Sequence, residues 1–114
     1  MQISNDEFVY SALAADPDLG DLVAMFVDEM PGRIHNLETH ARDRNWRELA
    51  RRAHQLKGAA GSYGFGEITP SAARLEHAAR SGCQEAEILS SLSELLDLCR
   101  RVRSGQPPEK RSAP

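Results

Sequence analysis

Aromatic side chains are scarce in this chain, at 5% of 114 residues. Alanine and leucine outnumber Val, Ile and Thr, a balance that argues against a sheet and for an all-α fold. Positive charge is not in excess either: 14 Lys and Arg face 17 Asp and Glu, for a net charge of −3. A nucleic-acid partner calls for a clearly basic face, so none is expected. No apolar run approaches the roughly 18 residues of a membrane span. The start "MQISNDEF" also lacks the basic-then-apolar layout of a secretion signal, and the expectation is a cytoplasmic chain without a membrane partner. Cysteine is confined to Cys83 and Cys99, far apart and without a C-x-x-C, which reads as two reduced thiols. Internal repeats are lacking. The length of 114 residues suits one domain with its own core, expected over residues 1–104. The polar, proline-bearing tail "GQPPEKRSAP", residues 105–114, reads as disordered. The initial Met and this tail suggest a stand-alone protein.

What is present is helical periodicity. "SNDEFVYSALAAD" predicts a short first helix with Ser4 or Asn5 as N-cap. Asp16 before Pro17 then opens a long amphipathic stretch, an N-cap followed by proline at the first helical position. Its stripe is Leu19, Leu22, Val23, Phe26, Met30, Ile34, Leu37 and Ala41. The stripe stays in phase across Pro31, which predicts one kinked helix rather than two. Asn45 caps the next segment, "NWRELARRAHQLKGAAGSYGF". "EITPSAARLEHAARSG" gives another, with Thr69 and Pro70 as N-cap and N1 or a start one turn earlier, and Gly82 as the stop. The last helix carries Ile88, Leu92, Leu95, Cys99 and Val102 on one stripe, with Arg100, Arg101 and Arg103 at the negative end of its dipole. Together these predict an antiparallel up-down-up-down four-helix bundle with a short extra N-terminal helix.

The most distinctive stretch is "HQLKGAAGSYGFG", residues 54–66. On a wheel at about 100° per residue, Leu49, Ala53, Leu56, Ala60 and Tyr63 form the buried arc. His54 falls outside it. Gly58 and Gly61 lie within roughly 40° of the histidine, and Lys57 and Arg51 within roughly 60°. Glycine on a solvent face weakens a helix by roughly 0.5–1 kcal/mol and gains nothing from packing. Clearance explains it: a partner's surface can lie flat over the imidazole, and Lys57 suits an anionic group there. His35, His40 and His77 have no such neighbourhood and read as ordinary surface or packing residues. Gly64 and Gly66 read as the turn that ends the helix. A nucleotide loop is excluded, because the lysine precedes the glycines, G-x-x-G-x-G fits neither phosphate motif, and no strand stands upstream.

"AHQLKGAAGSYGF" resembles the signature of the histidine-phosphotransfer (HPt) domain family, approximately H-x-L-K-G-[AS]-[AS]-x-x-x-G. "LVAMFVDEMPGRIHNLE" is similar to the family's second helix and "SAARLEHAAR" to the helix beside the histidine, so the likeness spans roughly residues 17–103. The resemblance implies a four-helix bundle that carries a phosphoryl group in bacterial two-component relays. It implies that His54 is the phosphorylated residue, that Lys57 steadies phosphoryl oxygens, and that Gly58 is the small position admitting the partner. Glu76, twenty-two positions after His54, matches the acidic or amide residue that contacts the ring. Kinase-linked relatives carry a second histidine where this chain has Ala73, which points away from a chemotaxis-kinase module. The implied partners are response-regulator receiver domains and the receiver domain of a hybrid histidine kinase, met as a monomer through Arg51, Gln55, Gly58, Gly61, Ser62 and an apolar patch of the first helix. Arg51, Arg52 and Arg74 would steer toward the receiver's acidic pocket. Magnesium would belong to that pocket, so no cofactor is expected here. Without ATP-binding motifs the chain is expected to be a carrier, not an enzyme. Two other readings compete: a helical interaction module in which His54 stays unmodified, and a bundle metal site from His54, Glu76 and His77.

Overall fold

Four helices follow the apolar stripes: α1 (Gly20–Arg42), α2 (Trp46–Ser62), α3 (Ile68–Arg80) and α4 (Glu85–Arg100). The computed structural model describes residues 7–106, so the Ser4 and Asn5 caps and residues 107–114 of the tail lie outside the described residues. Helix α2 packs on α1 and α3, and α4 packs on α3 and α1, enclosing one core. The α2–α3 seam is the most extensive of these contacts. Alanine is frequent among the buried residues of these two helices, with Ala50, Ala53 and Ala60 on α2 and Ala72 and Ala79 on α3, which suits a close approach of the backbones.

Helix α1 is continuous through Pro31, as the unbroken stripe predicts. Val23, Phe26, Met30, Leu37 and Ala41 are buried, whereas Leu22 of the same stripe is 40% exposed. The α-helix begins at Gly20, three residues later than the Asp16–Pro17 signal suggests. Asp16 instead organises the turn before it: its Oδ1 accepts from the Asp18 N–H at 2.8 Å and its carbonyl from the Gly20 N–H at 2.9 Å. Asn45 caps α2 as expected, its side chain accepting from the Glu48 N–H at 3.3 Å. Helix α3 starts at Ile68, which places Thr69 and Pro70 inside its first turn. All five predicted stripe residues at the chain's end, Ile88, Leu92, Leu95, Cys99 and Val102, are buried. Both cysteines are free, and burial pushes the Cys99 thiol up to about 12.

The expected N-terminal helix is absent from the described residues. Val9–Tyr10 (β1) is extended and pairs in parallel with Val102–Arg103 (β2). The physical reason is a competing set of partners. Val9 buries itself in the core and donates its N–H to the Arg101 carbonyl at 2.7 Å. The Ser11 hydroxyl donates to the Tyr63 carbonyl and accepts from the Leu13 N–H. Alanine-rich periodicity cannot compete with these tertiary bonds over so short a segment.

Gly64 ends α2 in the left-handed region, at φ +85°. The Phe65 N–H reaches back to the Ala60 carbonyl at 2.9 Å and the Gly64 N–H to Gly61 at 3.4 Å, a Schellman closure. Phe65 is thereby turned fully into the core, 5.2 Å from the Phe26 ring. Gly66 does not share this role: its φ is not positive and a Cβ there would meet open space. At Gly64 a Cβ would lie 2.5 Å from Ser11 Oγ and 2.9 Å from Leu13 Cγ. Gly64→Ala is therefore expected to cost about 1–3 kcal/mol in urea unfolding, whereas Gly66→Ala should be neutral within ~0.5 kcal/mol. Equal costs at the two positions would contradict this division.

Candidate functional site

The wheel places His54 on the outer face of α2, and its side chain is 58% exposed. Leu49, Ala53, Leu56 and Ala60 are buried beneath it and Tyr63 is half-buried. Across the alanine seam stands Glu76 of α3, whose side chain is only 10% exposed. The His54 ring meets it, with Nδ1 3.0 Å from Glu76 Oε2. Lys57 Nζ lies 2.8 Å from Glu76 Oε1, and Arg80 Nη1 lies 3.2 Å from Oε2. One buried carboxylate thus gathers an imidazole and two cations.

The chemistry of this cluster follows from its charges. The hydrogen bond from Lys57 holds the Glu76 carboxyl below its ordinary value of 4.5; burial opposes the shift, and the bond from His54 reinforces it. An ionised carboxylate only accepts hydrogen bonds, so it fixes His54 with Nδ1–H donating. Nε2, on the opposite edge of the ring, then carries the free lone pair. A surface imidazole held in one tautomer by a buried carboxylate is an oriented nucleophile.

Around the ring, Arg51, Gln55, Gly58, Gly61 and Ser62 are all exposed. A Cβ on Gly58 would meet nothing within 4 Å, so the opening beside His54 faces free space. Gly61 differs, since a Cβ there would touch Thr69 Oγ1 at 3.6 Å; it borders the first turn of α3. Lys57 is engaged with Glu76 rather than extended into solvent. On α1, Leu22 and Met25 are 40% and 54% exposed and flank Phe26, whose ring lies 5.6 Å from that of Tyr63. They leave an exposed apolar patch on α1.

Several expected participants stand elsewhere. Arg74 pairs loosely with Glu94 of α4 at 3.5 Å and lines the α3–α4 groove. Arg52 is held by Glu48 at 3.2 Å. His77 is exposed, with Nδ1 3.5 Å from Ser81 Oγ. The metal reading therefore loses its third ligand, and among the described residues no group of three or more His, Cys, Asp or Glu is placed to hold a metal ion. Arg80 is the residue that sequence reasoning missed. Its signal was present, because Glu76 and Arg80 are an i,i+4 pair on one helix face.

A helical bundle presenting one oriented surface histidine defines the class of molecule. The Hpt domain profile matches residues 21–105, and the chain belongs to this family of histidine phosphotransfer modules. Comparisons with curated proteins and with solved structures return no match. Hpt domains are phosphocarriers of phosphorelays rather than kinases, and they interact with receiver domains. Among the described residues no helix is long and apolar enough to cross a membrane.

Ionised Glu76 binds fewer protons in the folded than in the unfolded chain. Its contribution to stability is complete above about pH 4.5 and fades as pH falls through its lower folded value. Unfolding measured between neutral and acid pH should show that loss in the native chain, and Glu76→Gln should flatten it. An unchanged acid limb in Glu76→Gln would show that the carboxylate is not ionised against its partners.

Proposed function

We propose that His54 carries the phosphoryl group between receiver domains. The observation that supports this most is the exposed ring whose Nδ1–H is committed to buried Glu76, leaving Nε2 free on the face that Gly58 opens. In the forward step the Nε2 lone pair attacks the phosphorus of a receiver's aspartyl phosphate in line. The N–P bond forms as the aspartyl O–P bond breaks, and the aspartate leaves as a carboxylate. The reverse step, on a second receiver, regenerates neutral His54. Glu76 stabilises the positive charge of the phosphorylated ring through Nδ1–H. The Lys57 ammonium has N–H donors beyond the one spent on Glu76, and these offset charge on the phosphoryl oxygens.

The docking face comprises Arg51, Gln55, Gly58, Gly61 and Ser62 with the Leu22–Met25 patch. Receiver domains of response regulators and of a hybrid kinase are the partners, and Mg²⁺ belongs to the receiver's acidic pocket. The chain acts as a cytoplasmic monomer that uses no ATP, cofactor or metal of its own. Short connections between consecutive helices support an up-down-up-down order for the bundle.

Mixing the protein with a ³²P-labelled phosphoreceiver should give an acid-labile, base-stable label on this chain. His54→Gln should remove the label while leaving the helical circular dichroism intact. Label persisting in that variant would sink the assignment. Gly58→Leu tests the clearance separately. With open space for the side chain, helicity should be equal or higher, since glycine costs about 0.5–1 kcal/mol there. Transfer should nonetheless slow at least about tenfold, because a leucine occupies the approach to Nε2. Undiminished transfer would show that the glycine does not serve access.

A further inference from the structure

Next to the Glu76 cluster, α2 and the end of α3 leave an open cleft of about 400 Å³. Its lining is Arg47, Ala50, Arg51, Ala79 and Arg80. The two alanines are buried and form an apolar floor, and the three arginines are exposed around it. No carboxylate lines the cleft. Arg51 is only loosely engaged, 3.6 Å from Glu48 Oε2, an oxygen that Arg52 holds at 3.2 Å. Arg80 shares one nitrogen with Glu76 and leaves the rest of its guanidinium free. Arg47 makes no ion pair among the described residues.

This concentration of positive charge runs against the composition. The chain as a whole carries −3, yet Arg47, Arg51 and Arg80 line this cleft with no carboxylate among them. Arg47 and Arg51 are also like charges one turn apart, an arrangement that costs a few tenths of a kcal/mol until an anion relieves it. Guanidinium forks above a flat apolar floor fit the planar, two-oxygen geometry of a carboxylate.

We infer that this cleft receives an acidic side chain of the docking receiver domain, at a point outside the receiver's phosphoacceptor pocket, and so helps choose the partner. The inference rests on the phosphocarrier reading above. Position identifies the occupant: Arg80 touches the same Glu76 oxygen that His54 touches, so whatever fills the cleft sits beside the transfer site. The molecule that covers His54 during transfer is the one able to reach both. Arg47 and Arg51 then act on encounter and docking, while the chemistry stays with His54 and the Glu76 cluster.

The test measures transfer to the full chain from a phosphorylated receiver domain, with receiver concentration and ionic strength both varied. The double variant Arg47→Ala, Arg51→Ala should raise the half-saturating receiver concentration about tenfold at low salt, with the gap closing as salt is added. Its rate at saturation should stay within about twofold of the native chain, since no reacting group is altered. Arg47→Lys, Arg51→Lys keeps the charge but not the fork and should fall between the two. Native half-saturation and native salt dependence in the alanine variant would overturn the cleft's role and leave the phosphocarrier reading standing. A loss confined to the saturating rate would overturn it as well. A native chain that takes no label fails at the earlier step, and the docking role falls with it.

Discussion

Burying the Glu76 carboxylate in the α2–α3 seam is the constraint around which the other features are arranged. A carboxylate taken out of water costs several kcal/mol unless charge and hydrogen bonds replace its hydration. Here the replacements are Lys57, Arg80 and the His54 N–H, drawn from both helices. They can reach one carboxylate because alanines at Ala50, Ala53, Ala72 and Ala79 let the helices approach closely. The same approach that buries the acid also brings the imidazole to it. A bulkier seam would separate the partners and leave the carboxylate either hydrated or neutral, and in both cases the tautomer of His54 would lose its anchor.

Rigidity and openness are divided along α2 by residue size. Toward the core, Leu49, Leu56 and Ala60 are buried, and Phe65 is folded inward by the Gly64 turn. Toward solvent, Gly58 leaves a gap beside the ring. The N-terminal segment reinforces the same end of the helix, because Ser11 and Ala12 bond the carbonyls of Tyr63 and Gly64 just past α2 while Val9 pairs with Val102. Glycine therefore serves opposite purposes within a few residues: one position admits φ +85° and close backbone contact, and another keeps a surface clear.

Much of this was legible in the sequence because helical periodicity is local. The stripes of α2 and α4, the Asn45 cap, the passage through Pro31 and the turns at Gly64 and Gly82 each depend on neighbouring residues in the chain. The pairing of His54 with Glu76 was legible only through resemblance to a family, since twenty-two positions of separation carry no local signal. What resisted reading was set by tertiary contact. Residues 7–16 have helical composition, yet Val9 finds a strand partner ninety-three positions later. Leu22 belongs to the apolar stripe by phase and is left uncovered by the neighbouring helices. Arg74 and Arg80 stand six residues apart on α3; only the packing decides that Arg80 meets Glu76 and Arg74 meets Glu94.

The cluster carries a surplus of positive charge, which suits the phosphoryl group proposed for it. Glu76 contributes one negative charge, and Lys57 and Arg80 bring two positive charges to it. The surplus stands beside an imidazole whose free nitrogen faces outward. Were Lys57 alone available, stabilising an incoming phosphoryl group would draw the cation away from the buried carboxylate and expose its desolvation cost. In the proposed transfer, Arg80 on the second oxygen would keep Glu76 compensated while the ammonium leans toward the new charge. On the proposed function, the second cation would let one side chain answer to two anions in turn, from a position one helical turn beyond Glu76.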